Sequence, residues 1–163
     1  MSGFTAAGIN KDLVTTDQQA PLGFELTVPT ANAGNQTWVY IKAEDALVAG
    51  KIVMLENAAS AFEAKLTPTG LSVNVTAARV IGVAQHVIAS GSYGFVLAKG
   101  FGLVKAGNGA GLTVDTAVTM GGTVTTGTAL DFAAGTTAPA CIIGHCTVAA
   151  TATNNATCYI NVV

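Results

Sequence analysis

The segment ARVIGVAQHVIASGSYGFVLAKGFGLVKA, residues 78–106, constrains the chain more than any other. In its second half Tyr93, Phe95, Leu97 and Lys99 alternate with smaller residues, the period of two that places successive side chains on opposite faces of a strand. The whole segment reads as strand, turn, strand, turn, strand. Gly100 and Gly102 permit a bend or bulge where a small barrel turns a corner. The next stretch, NGAGLTVDTAVTMGGTVTTGTALDF (108–132), separates short Thr/Val runs with Gly-centred turns. β-Branched residues at this density favour strands and disfavour long helices.

Elsewhere the same material recurs. TWVYIK (37–42) joins aromatic to β-branched residues, and KIVML (51–55) comes after an expected turn at Gly50. AEDALVAG between them reads as one helical turn or a loop. NAASAFEAK (57–65) holds good helix formers but is too short to keep a helix without tertiary support. Val73 and Val75 alternate with Asn74 and Thr76 as in a strand, and the chain closes with PACIIGHCTVA and TCYINVV around a polar loop. A faint repeat relates VIGVAQ and YGFVLA (80–98) to IIGHCT and CYINVV (142–163), which suggests two related hairpins packed face to face. Residues 1–30 lack sustained periodicity and read as an extended N-terminal arm, with PLGFELTVP at its end open to an early edge strand. Residues 31–163 then form a single β domain. The expected fold is all-β, a small barrel or a β-tulip or sandwich-like domain with an extended N-terminal arm.

Composition bears on partners. Across 163 residues only 10% are charged, against about 25% in typical soluble domains. After Lys105 no cation occurs, and Asp115 and Asp131 are the sole charges. So weakly charged a half must be deeply packed or covered by partner subunits, which points to an oligomeric or shell-bound protein. The net charge of −2 offers no footprint for nucleic acid. No apolar run approaches the roughly 18 residues of a membrane span. The start, MSGFTAAGINKDLVTT, has no secretory pattern.

Chemistry-bearing residues are sparse. His86 ends a strand-like run beside a loop, where it can stay solvated. Glu44 and Asp45 are sequence neighbours in a loop and do not converge on one site. Asp115 and Asp131 read as turn residues, with an interface or capping role as the alternative. Cys141, Cys146 and Cys158 read as free buried thiols. CIIGHC invites a metal reading through His145, but its spacing matches no common zinc arrangement. GNGAG (107–111) has no following helix or nearby lysine to hold a phosphate. Trp38, Tyr40, Tyr93 and Tyr159 do not alternate with Lys or Arg as a nucleic-acid stacking platform does. No catalytic residue, cofactor or metal is expected, and the chain does not read as an enzyme.

The order VIGVAQ…GSYGFVLAKGFGLVKA…TAVTMGGTVTT…IIGHCTV…CYINVV, preceded by PLGFELTVP…TWVYIKAEDALVAGKIVML, resembles the capsid decoration or cement proteins of tailed bacteriophages. The likeness spans about residues 20–163 in rhythm more than identity. It implies a protein on the outer capsid surface of the virion, made in the host cytoplasm, that clamps neighbouring subunits of the major capsid protein. It also implies self-association, with a trimer favoured and a dimer possible. An arm of this kind offers Phe4, Ile9, Leu13 and Phe24 to a groove on the shell. The alternative is a receptor- or carbohydrate-binding β-domain of a phage fibre or tail.

Overall fold

The computed structural model describes residues 10–31, 34–56, 62–67, 80–107, 111–120, 127–132 and 142–162. Among them every regular element is a strand: β1 (Glu25–Thr30), β2 (Gly34–Ala43), β3 (Ile52–Leu55), β4 (Glu63–Leu66), β5 (Val80–Val83), β6 (Tyr93–Lys105), β7 (Ala117–Met120), β8 (Ala129–Asp131), β9 (Ile142–Val148) and β10 (Asn155–Asn161). They pair in the order β1-β2-β4-β3-β5-β6-β10-β9-β7-β8, with β2 also pairing β6. The extra pairing returns β6 to β2 and joins β2, β4, β3, β5 and β6 in a ring. It is a partial barrel: β5 meets β6 only at Val83↔Leu97, and β2 meets β4 at two positions, in parallel. The other pairings are antiparallel, and β10, β9, β7 and β8 extend from β6 as a wing.

The core follows from the alternation. On β2, Trp38 and Tyr40 enter one apolar cluster, whereas Val39, Ile41 and Ala43 enter another on the opposite face. On β6, Phe95 and Leu97 join the first cluster, and Val96 and Ala98 the second. Strands buried on both faces read as continuous apolar runs, which is why WVYI and FVLA have no polar interruption. Tyr40 is the best-connected of these residues. It is fully buried, with its ring 5.0 Å from that of Phe95 and 6.2 Å from that of Tyr93. Its hydroxyl accepts a hydrogen bond from the Gln19 N–H at 3.0 Å, so the buried phenol is satisfied.

β6 changes partner midway. Residues 93–99 face β2 and residues 99–105 face β10. Gly100 lies at the handover with φ of +115°, and a β-carbon there would press on Asn35 and Gln36 of β2. The bend expected at this glycine is present. Beyond it, Gly102, Val104, Ala156, Cys158, Ile160, Ile143, Cys146 and Val118 turn one wing face inward.

The structure bears on several expectations and corrects one. The two related hairpins, β5–β6 and β9–β10, lie side by side in one sheet through β6–β10 rather than face to face. Their equivalent glycines, Gly82 and Gly144, both press against a partner-strand carbonyl, of Leu97 and Tyr159 respectively, at the same separation along the chain. The end of NAASAFEAK, judged too short to hold a helix, runs into a strand at Glu63–Leu66, where pairing with β2 and β3 supplies the hydrogen bonds. The early edge strand left open at PLGFELTVP is β1, which pairs β2 throughout at the end of the sheet, and upstream of it Thr15 exchanges backbone hydrogen bonds with Tyr93. Val73–Thr76, Phe4, Ile9 and Cys141 lie outside the described residues.

Because Phe95 is fully buried between Tyr40 and Phe24, Phe95→Ala is expected to cost about 3–5 kcal/mol, read as a lower denaturation midpoint at unchanged slope.

Candidate interaction surface

Where one wing face turns inward, period two sends the intervening side chains outward. The register aligns them in rows. Phe101 of β6 stands opposite Tyr159 of β10, Tyr159 opposite His145 of β9, and His145 opposite Ala117 of β7. The rings touch along this row: Tyr159 meets Phe101 edge-on at 5.2 Å and stacks on His145 at 5.6 Å. The next row holds Leu103, Thr157 and Val148, and the row on the other side pairs Lys99 with Asn161. Leu103 is 37% exposed and Val148 58%. β7, β9 and β10 carry no charged residue, and Lys99 and Lys105 of β6 flank the rows. The surface is therefore aromatic and aliphatic, with hydroxyl and amide groups between.

Such a face can be dried cheaply. Desolvating carboxylates or ammonium groups costs far more than desolvating a Tyr edge, Thr or Val. Its chemistry is that of recognition: there is no nucleophile paired with a base along these rows.

The residues singled out from sequence are dispersed. Leu13 is half-buried, its N–H bonded to the Asn10 carbonyl and its own carbonyl beside Gly94. Phe24 packs on the core, edge-on to Phe95 at 6.5 Å, and its carbonyl accepts from the Tyr40 N–H. Both thus make contacts within the chain. His86, expected to be solvated, is half-buried and stacks on Trp38 at 6.5 Å. Burial lowers its pKa, since the charged ring is the costlier form to desolvate. Its Nε2 and the Trp38 Nε1 are buried without hydrogen-bond partners, under Lys11, whose Nζ lies 5.3 Å from the Trp38 ring.

The carboxylates tie loops. Asp45 accepts from the Leu66 N–H at 3.0 Å, while Glu44 and Glu63 share the Lys42 ammonium at 3.0 and 2.9 Å. Glu44, Glu56 and Glu63 are close enough to hold an ion, but the Lys42 ammonium already neutralises two of them. Asp115 takes a left-handed turn conformation, φ of +62°, and its N–H donates to the Cys146 carbonyl. Asp131 accepts from the Thr113 N–H at 3.0 Å and the Thr116 hydroxyl at 2.7 Å, which fastens the turn before β7 to the end of β8. His145 projects outward and Cys146 inward, as strand neighbours must, so CIIGHC does not converge on one point.

The signal for the outward row was present but divided. Phe101 and Tyr159 lie far apart in sequence, each in a segment where large and small residues alternate, and only the β6–β10 register brings them together.

No family model matches the sequence, and no curated protein matches it. Among solved structures, the fold is similar to that of the head fiber gp8.5 N base in bacteriophage phi29. The TM-score is 0.51 at 15% identity, over 78% of this chain and 95% of that one. At that identity the likeness is one of fold: an all-β module of the kind also seen in the base of that phage head fiber.

Partial burial pushes the Asp131 carboxyl up, but the hydrogen bonds from Thr113 and Thr116 outweigh it and hold the group below its ordinary value of 3.8. A depressed carboxylate adds stability that is full above the unfolded value and lost as pH falls through the folded one. Asp131→Asn should therefore lower Tm at neutral pH and flatten its decline below about pH 4, measured by thermal melts across pH.

Proposed function

We propose that this chain is a structural protein of a tailed-phage virion that attaches to the outside of the head. The observation that carries the reading is the fold, which takes in 95% of the phi29 head fiber base. The sequence rhythm of capsid decoration proteins supports it independently. The finer reading is a cement role: each copy lies across neighbouring subunits of the major capsid protein and adds binding free energy that only the assembled lattice offers. Its contact face is the uncharged wing surface built on Phe101, Leu103, Tyr159, His145 and Val148. Self-association, as a trimer or a dimer, multiplies weak single contacts into a stable attachment.

This face replaces the arm as the principal contact. Phe24 spends its apolar surface on its own domain and Leu13 is held there through its backbone, so the arm contribution tested first is that of residues before Asn10. A second reading, a carbohydrate-binding module of a fibre, is favoured by one observation. Tyr159 and Phe101 form a partly open aromatic pair with Asn161 one row away, and sugars are commonly held by ring faces beside amide groups.

The test is co-sedimentation of the purified chain with heads that lack it, quantified as copies per major capsid subunit. Saturation at a small-integer ratio with greater heat resistance of the heads is the expected outcome. Leu103→Glu and Val148→Glu, at exposed positions, should each weaken binding at least tenfold with Tm nearly unchanged. Removing residues 1–9 measures the arm separately, because it leaves the Thr15 and Phe24 contacts in place. Absence of binding to heads, with binding to glycans, would overturn the cement reading in favour of the fibre module.

A further inference from the structure

Cys146 and Cys158 face each other across β9 and β10. Both are almost completely buried, on the inward side of the wing. The backbone shows which kind of cross-strand pair they make. The Cys146 N–H donates to the Thr116 carbonyl at 2.9 Å, and its carbonyl accepts from the Asp115 N–H at 2.9 Å. Both polar groups of Cys146 thus turn toward the β7 side, away from β10. Cys146 and Cys158 are therefore a non-hydrogen-bonded pair, the arrangement in which opposed Cα atoms approach to about 4.5 Å and side chains come closest. That separation lies within the range a disulfide spans. The sulfurs already meet: the two thiols are hydrogen-bonded to each other, and Cys146 Sγ also donates to the Val148 carbonyl at 3.4 Å.

We infer that Cys146 and Cys158 form a disulfide that staples β9 to β10 when the chain meets a small-molecule disulfide such as oxidised glutathione. One protein thiolate attacks the external disulfide, whose S–S bond breaks and releases one thiol. The second protein sulfur then displaces the attached half, forming the Cys146–Cys158 bond and releasing a second thiol. Two protein thiols are oxidised, one external disulfide is reduced to two thiols, and the two protons pass to those thiols. The proposal goes beyond head attachment and does not depend on it.

Burial sets when closure occurs. It pushes the Cys158 thiol up to about 12 and raises Cys146 as well, so the folded wing holds both as neutral thiols that attack slowly. Closure is fastest while the β9–β10 hairpin is open, during folding.

The experiment uses the full-length chain with all three cysteines. Reduced protein is refolded from denaturant with excess oxidised glutathione at about pH 8.5, and a second sample is exposed while folded. Peptides are mapped without reduction, and Tm is compared with the reduced protein. The expected result is a Cys146–Cys158 link, formed more slowly in the folded sample. Tm should rise by about 5–10 °C, reversed by dithiothreitol. The proposal is overturned if the soluble refolded protein retains both thiols free, carries them as separate glutathione adducts, links either to Cys141, or gains no stability from the link.

Discussion

A single strand has to satisfy three neighbours, and the rest of the molecule is arranged around how it does so. β6 lies between β2 and β5 over its first half, with side chains entering a core on each face. Over its second half it becomes the inner strand of a one-sided sheet. No uniform strand can do both, since the first half must be apolar on both faces and the second on one. Gly100 separates the two regimes, and its left-handed φ turns the strand from β2 to β10. The residues before Gly100 build the scaffold, and those after it build a platform with an outward face.

Charge is distributed in step with that division. The ion pairs of Lys42 with Glu44 and Glu63 are on the ring side of the molecule, and the wing beyond β6 has only Asp115 and Asp131, both held in turn contacts. Among the described residues the scarcity of charge after Lys105 therefore marks the outer rows as well as the core face of the wing. A face without ions sheds water at small cost, and a face bordered by Lys99 and Lys105 keeps some repulsion against stacking wing on wing through the same rows.

Much of this was legible. Period two over Tyr93–Lys99 identified β6, and the aromatic and β-branched TWVYIK identified β2 as a strand, though not that it is covered on both sides. Gly50 and Gly100 marked turns that are present. What could not be read was anything set by pairing between distant segments. Phe24 looks, in sequence, like an apolar residue in want of a groove; the groove is its own domain, where it packs edge-on to Phe95. FEAK looks weakly helical, and becomes a strand because β2 and β3 have edges to complete. His86 looks solvated beside its loop, yet stacks on Trp38 from another strand. The aromatic row was hidden for the same reason, since Phe101, Tyr159 and His145 become neighbours only through two registers.

The faint sequence repeat has a physical consequence for the wing. Both hairpins seat a glycine against a partner carbonyl, so their strands approach closely at equivalent points. The first hairpin lies within the ring; the second has an outward face, pairs β6 through β10, and belongs to a wing whose far end returns to the body where Gly107 donates to the Ala129 carbonyl and Ile52 to that of Gly127. Opening β9–β10 would expose Ile143, Cys146, Cys158 and Ile160, all buried on its inner face. A partner seated on the outer rows and a bond between Cys146 and Cys158 on the inner face act on the same opening, from opposite sides of one sheet. Either one stabilises the register on which the other depends.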